Sequence, residues 1–169
     1  MKSISILSWL RRNDRESQAN KIDPTAFFKN ISVLIVDDSR TQLYAMEKML
    51  QSAGITTLTA ENGKQGILMA RHKKPDVILM DIVMPEINGF QATRYLTRQP
   101  DTGHIPIIII SGSDQESDKA WGLKLGAKDF MNKPVNKEIL LEKIAHLISA
   151  KPKAAPVRHS DVHAYVQAV

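Results

Sequence analysis

The sequence predicts a doubly wound α/β domain in which five parallel strands are covered on both faces by five helices, and three observations predict it. Short β-branched apolar runs alternate with stretches of helical period between residues 31 and 149. The runs are apolar at consecutive positions instead of every second one, as strands buried on both faces are. Capping and turn residues stand at the junctions, and a strict strand–helix alternation of this kind builds a parallel sheet.

In chain order, Ile31 to Val36 is the first buried strand. Ser39-Arg40-Thr41-Gln42 matches a capping box, and it opens a helix whose inner face is Leu43, Met46, Leu50 and Ala53. Gly54 ends that helix; a strand at Ile55–Thr59 leads through Glu61-Asn62-Gly63 to a helix over Lys64–His72. Val77–Met80 is the next buried strand, Gly89–Arg98 the third helix, and Ile105–Ile110 the most apolar strand of all. Ser113-Asp114-Gln115-Glu116 reads as a second capping box, opening a helix to Leu125. Ala127–Met131 is the fifth strand, and Asn136–Ser149 is a last helix with Ile139, Leu140, Lys143, Ile144 and Leu147 along one side.

Length and charge narrow the function classes. With 169 residues the chain holds one domain, read here as residues 31–149, an N-terminal extension over 1–30 and a C-terminal tail over 150–169. There is no Cys, which removes disulfide scaffolds, thiolate metal sites and cysteine nucleophiles, and fits a cytoplasmic protein. No apolar run reaches the roughly 18 residues of a membrane span. The net charge of +5 sits in the extensions: residues 1–30 hold Lys2, Arg11, Arg12, Arg15, Lys21 and Lys29 against Asp14, Glu16 and Asp23, and residues 150–169 hold Lys151, Lys153 and Arg158 against Asp161. The central segment is neutral, so the domain as a whole has no electrostatic reason to seek nucleic acid. Ile4, Leu7 and Leu10 recur at helical spacing beside Ile6 and Trp9, which predicts a short amphipathic helix. The Pro- and Ala-containing stretch 150–160 has linker composition, and Val162–Val169 is mildly apolar and is read as a candidate docking segment.

Right-handed crossovers bring the C-terminal ends of all strands to one edge, where open α/β sheets keep their sites. The polar residues expected there are Asp37 and Asp38 after the first strand, Asp81 after the third, Ser111 after the fourth, and Lys133-Pro134 after the fifth. Carboxylates this close repel: at an effective dielectric of about 20, a like-charge pair near 5 Å costs on the order of 3 kcal/mol. A cation must answer that, and oxygen-only ligands favour a hard ion, Mg²⁺ over Ca²⁺ where several waters are kept. Lys133 supplies a mobile positive charge, Ser111 a hydroxyl, and Gly112 close backbone approach. Together with one carboxylate nucleophile these are the parts needed for phosphoryl transfer onto Asp81.

Four segments carry a family resemblance: Val33-Leu34-Ile35-Val36-Asp37-Asp38-Ser39, Asp81-Ile82-Val83-Met84-Pro85 with Asn88-Gly89, Ile110-Ser111-Gly112, and Gly126-Ala127-Lys128-Asp129-Phe130-Met131-Asn132-Lys133-Pro134. They resemble, in order and spacing, the receiver domains of bacterial two-component response regulators, of the CheY-like kind. Within that family Asp81-Ile-Val-Met-Pro-Glu-Ile-Asn-Gly-Phe-Gln-Ala-Thr-Arg94 and Asp114-Gln-Glu-Ser-Asp-Lys-Ala-Trp-Gly122 look most like the PilH-type regulators of chemotaxis-like systems governing type IV pili and twitching motility.

The resemblance implies a flavodoxin-like sheet of order 2-1-3-4-5 and a phosphoacceptor at Asp81 that takes its phosphoryl group from a histidine kinase or phosphotransfer domain. It implies that Asp38, Asp81 and the Val83 carbonyl ligate Mg²⁺, with Asp37 acting through water. Lys133, held by a cis bond to Pro134, would pair with the phosphoryl oxygens; Ser111 and Phe130 would form the switch. Such a protein is not an enzyme beyond its own Mg²⁺-dependent phosphorylation and dephosphorylation. Phe130 replaces a Tyr of the chemotaxis protein, and Val83 and Ser113 stand where that protein has polar residues guiding the hydrolytic water, so phosphoryl lifetime does not carry over.

The expected function is that of a stand-alone regulator signalling to an unidentified protein, because the residues after 149 are too few for an output domain. A phosphate sink for the kinase and a constitutive adaptor acting through its tails are the alternatives. A phosphorylation-dependent dimer is a further partner expectation. A P-loop NTPase is excluded by the lack of a Gly-x-x-x-x-Gly-Lys-Ser/Thr run, and a haloacid-dehalogenase-like phosphatase by Ile82-Val83 where Asp-x-Asp is needed. His72, His104, His146, His159 and His163 show no metal-ligand spacing and read as surface residues.

Overall fold

The computed structural model describes residues 27–150. The expected amphipathic helix at Ile4–Leu10 and the tail beyond Ala150, with His159 and His163, lie outside the described residues. The strands are β1 (Ser32–Val36), β2 (Thr56–Ala60), β3 (Val77–Asp81), β4 (Ile107–Ser111) and β5 (Asp129–Asn132). The helices are α1 (Arg40–Gln51), α2 (Gly63–Lys73), α3 (Gly89–Arg98), α4 (Glu116–Lys124) and α5 (Lys137–Ser149).

All strand pairs are parallel and the sheet order is β2-β1-β3-β4-β5, the doubly wound topology expected. Alternate strand residues separate two apolar layers. Val33, Ile35, Val77, Leu79, Ile108 and Ile110 pack under α1 and α5; Leu34, Val36, Ile78, Met80 and Ile107 pack under α2 and α3. The central strands β3 and β4 are buried along their whole length, whereas the Thr-rich β2 is a half-exposed edge. Phe28, which sequence reading leaves in the N-terminal extension, is buried in the layer under α1 and α5 and ties the start of the described chain to the core.

Element ends follow local chemistry. Ser39, Asn62, Asn88 and Asn136 each accept a hydrogen bond from a first-turn N–H of the helix that follows, and Asn88 completes a reciprocal capping box with Gln91. The box expected at Ser113–Glu116 does not form. The Ser113 N–H is taken by Ser111 Oγ, Asp114 accepts from Asn132 Nδ2, and α4 opens at Glu116 with no side-chain cap. β4 begins at Ile107 instead of Ile105 because Pro106 has no N–H to give the ladder. β5 begins at Asp129 instead of Ala127 because Gly126, at φ 104°, turns the chain there. On α5 the buried residues are Leu140, Ile144 and Ala145; Ile139 is exposed and Lys143 pairs with Asp129 at 2.7 Å.

Two glycines hold the loop that follows Asp81. A Cβ on Gly89 would lie 1.9 Å from the Asp81 carbonyl oxygen, and one on Gly63 would lie 2.4 Å from that of Ile87. The Gly89 N–H also donates to the Ile82 carbonyl at 2.9 Å. The loop is thereby clamped between the start of α3, the start of α2 and the end of β3, and the backbone of Asp81 has little room to move.

Gly89→Ala is therefore expected to destabilise the domain by about 3 kcal/mol or more, because the new methyl meets backbone and not a yielding side chain; the urea midpoint is the measurement. Thr93, on α3, has a fully buried hydroxyl without a protein partner. Thr93→Val is expected to raise the urea midpoint, by about 1 kcal/mol in stability, because it removes an unpaired polar group at nearly constant shape.

Candidate functional site

The parallel register carries the ends of β1, β3, β4 and β5 to one edge. Val36 stands beside Met80, Asp81 beside Ile110, and Ser111 beside Asn132, so the residues just beyond those strands are neighbours. The structure brings together Asp37, Asp38 and Asp81, whose carboxylate oxygens lie within 4.8 Å of one another. Asp37 and Asp81 are buried and Asp38 is exposed.

Lys133 arrives from the end of β5, where the Lys133–Pro134 peptide bond is cis as expected. Its Nζ lies 2.8 Å from Asp37 Oδ2 and 2.7 Å from Asp81 Oδ1, so one ammonium bridges both buried carboxylates. The other Asp37 oxygen accepts the Ser39 N–H at 2.9 Å, which engages Asp37 on both sides and joins the site to the start of α1.

The electrostatic balance leaves a residue of strain. Burial pushes the Asp81 carboxyl above the ordinary carboxylate range; the hydrogen bond and charge of Lys133 oppose this, while Asp37 and Asp38 add to it. Burial pulls the Lys133 ammonium down, but its bonds to Asp37 and Asp81 more than restore it, and it is held above the usual lysine value. A single cation thus answers three carboxylates only in part. The donor set is oxygen alone, with one exposed carboxylate beside two buried ones, and that chemistry fits a hard divalent cation.

Ser111 is buried at the end of β4, and its Oγ accepts the Ser113 N–H at 2.9 Å. Phe130 is buried one strand away, packed with Ile109 and Ala127 against Ile82 and Phe90. Val83 is exposed in the loop after β3. An open groove of about 510 Å³ runs from Lys133 along α1, lined by Gln42, Met46, Met49, Gly112, Pro134 and Val135 among others.

Two features escaped the sequence. Gly89 bears directly on the Asp81 backbone, and Asn132 Nδ2 donates to Asp114 Oδ1 at 2.9 Å, tying the loop after Ser111 to the strand that carries Lys133. Gly89 was visible as part of the Asn88-Gly89 pair, though not its contact. The Asn132–Asp114 bond spans two strands and has no local signal.

Known proteins match this arrangement over the described domain. The profile of the response regulator receiver domain matches residues 33–145. The chain is 54% identical to Protein PilH of Pseudomonas aeruginosa over 112 residues, 66% of this chain and 93% of that protein. Its structure is similar to that of Vibrio cholerae chemotaxis protein CheY4, with TM-score 0.65 and 30% identity over 69% of this chain and 98% of that one. It is also similar to the receiver domain of the Pseudomonas aeruginosa sensor histidine kinase PA1611, solved with a magnesium ion coordinated in its active-site cleft; the TM-score is 0.67 and the identity 28%, over 71% of this chain and 98% of that one. With its sheet order, its acidic cluster and a matching profile over two thirds of its length, the chain belongs to the response regulator receiver domain family.

Proposed function

We propose that this chain is a phosphorylation-dependent response regulator in which Asp81 accepts a phosphoryl group from a phosphohistidine of a histidine kinase or phosphotransfer domain. The observation that carries the reading is the Lys133 ammonium bridging Asp37 at 2.8 Å and Asp81 at 2.7 Å at the C-terminal edge of the sheet. In the transfer, an Asp81 carboxylate oxygen forms the new bond to phosphorus, the phosphorus–nitrogen bond to the donor imidazole breaks, and the electron pair leaves with that nitrogen. Lys133 exchanges its carboxylate contact for the incoming phosphoryl oxygens, and the Ser111 hydroxyl, which here only accepts, is available to donate to them.

Asp38, Asp81 and the Val83 carbonyl would hold Mg²⁺, with Asp37 acting through water, a role that suits a carboxylate already engaged on both oxygens. Bound there, Mg²⁺ supplies neutralising charge for the phosphoryl oxygens. The groove along α1 reaches Lys133, the residue that contacts Asp81, and offers a partner a surface beside the site. Movement of Ser111 toward the phosphoryl group takes its oxygen from the Ser113 N–H and repacks the neighbourhood of Phe130, which is already turned inward, so a charge event at Asp81 reaches the surface of α4, β5 and α5. The similarity to Protein PilH supports a place in a chemotaxis-like system controlling type IV pili and twitching, with signalling by protein contact in the cytoplasm.

With acetyl phosphate and Mg²⁺, intact-mass measurement is expected to show one added phosphoryl group on the wild type and none on Asp81→Asn; modification of the variant, or of the wild type without Mg²⁺, overturns the assignment. Lys133→Ala is expected to leave the wild-type fold and lower the phosphorylation rate by about 100-fold, the scale of a lost charge-stabilising group. Linkage gives a stability test. Because Asp81 holds its proton to higher pH in the folded state, its favourable contribution is present below the unfolded carboxyl value and is lost as pH rises through the raised folded one. In metal-free buffer Asp81→Asn is therefore expected to melt above wild type at pH 7, with the difference closing as pH falls toward about 4. Added Mg²⁺ should raise the wild-type melting temperature and leave that of the variant unchanged.

A further inference from the structure

The neutral charge of the domain is not evenly spread. α2 carries Lys64, Arg71 and Lys73 and α3 carries Arg94 and Arg98, and neither helix holds an Asp or a Glu. On the other described helices the signs mix: Arg40 and Lys48 with Glu47 on α1, Lys119 and Lys124 with Glu116 and Asp118 on α4, Lys137 and Lys143 with Glu138 and Glu142 on α5. All five cations of α2 and α3 are exposed.

Helix stability accounts for only some of them. Arg71, Lys73 and Arg98 stand in last turns, where the helix dipole favours cations. Lys64 stands in the first turn of α2, where a cation opposes the dipole, and Arg94 is mid-helix. Lys64, Leu68 and Arg71 share one ridge of α2 and Gln91, Arg94, Tyr95 and Arg98 share one side of α3. α2 and α3 lie against each other on the same layer of the sheet, which sets the two ridges side by side. At its centre Leu68 is 47% and Tyr95 39% exposed. Of the acids in the flanking loops, Asp101 pairs with Arg71 of this face at 3.1 Å and with Lys74 at 3.5 Å, Glu61 pairs with Arg40 at 3.2 Å, and Asp76 accepts from Ser32 at 3.0 Å, which leaves the charge of the face to Lys64, Arg94 and Arg98. Glu86 is exposed in the loop between β3 and α3.

We propose that the α2–α3 face docks an acidic segment of another protein. A second copy docked two-fold would set this cationic face against itself, and the chain's own basic extensions, +3 over residues 1–30 and +2 over residues 150–169, would be repelled by it. An apolar centre inside a charged rim is the anatomy of a protein interface, and Tyr and Arg are the side chains that anchor such interfaces. Arg71 is already paired with the chain's own Asp101, so the cations offered to a partner are Lys64, Arg94 and Arg98. The surface lies on the layer of the sheet opposite α1 and α5, away from the groove along α1 that Lys133 lines.

The test titrates the full-length, isotope-labelled chain with a synthetic amphipathic helix bearing Glu on its polar face and Leu on the other. Amide shifts are expected over residues 63–73 and 89–98, with affinity falling as salt rises. The triple variant Lys64→Gln, Arg94→Gln, Arg98→Gln should bind about tenfold more weakly, the product of three exposed charge contacts. The control Arg11→Gln, Arg12→Gln, Arg15→Gln should stay within about twofold, and both variants should still be phosphorylated by acetyl phosphate, which separates this surface from the Asp81 chemistry. The proposal is overturned by absent binding, by shifts confined to other elements, or by equal loss in the control. It is equally overturned if phosphatidylserine vesicles or duplex DNA bind through the same three residues more tightly than the acidic helix. The shift map on the wild type decides the matter even where the triple variant does not fold.

Discussion

Everything at the edge of this sheet depends on the Lys133 ammonium lying between two buried carboxylates. Asp37 and Asp81 are brought together by strands whose side chains are buried on both faces, and the hydrophobic free energy of those strands holds the acids in place against their mutual repulsion. The cation makes the arrangement tolerable without making it comfortable, as the raised Asp81 carboxyl records. A site of this kind is poised: an incoming divalent cation relieves a repulsion already present, and the relief itself is available to drive a change of state.

The rigidity that lets such a site persist comes from close backbone packing. Gly89 against the Asp81 carbonyl, Gly63 against that of Ile87, and the Asn88–Gln91 box at the start of α3 fasten both ends of the loop after β3. The loop after β4 is held differently. Its restraints are single hydrogen bonds, Ser113 N–H to Ser111 Oγ and Asn132 to Asp114, and the helix it leads into buries only Gly122 and has no side-chain cap. The contrast is between a fixed platform under Asp81 and a lightly tethered neighbour beside Ser111, which is the distribution of stiffness a switch requires.

Much of this was legible in the sequence because the signals are local. Continuous apolar runs such as Ile107–Ile110 mark strands buried on both faces, and Leu43, Met46 and Leu50 mark the inner side of α1. Strand-terminal Asp37, Asp81, Ser111 and Lys133 could be placed together because parallel strands share one end. What went astray were cases where an unforeseen partner outbid the expected one. Ser113 has the sequence of a helix cap, yet its N–H is claimed by Ser111; Lys143 sits on the apolar side of α5, yet it pairs with Asp129. A summed charge near zero likewise concealed a cationic pair of helices, since summation discards position.

The amino-acid sequence by itself determined the number and kind of elements, the parallel sheet and which residues stand at its C-terminal edge, because hydrophobic period and strand-end chemistry act over a few residues. Only the tertiary structure decided which carboxylates share the Lys133 ammonium, how closely Gly89 presses on Asp81, and that the two acid-free helices α2 and α3 lie side by side. Those outcomes hang on contacts between residues up to 96 positions apart, as Asp37 and Lys133 are. Their free energies exist only once the packed core has set the distances.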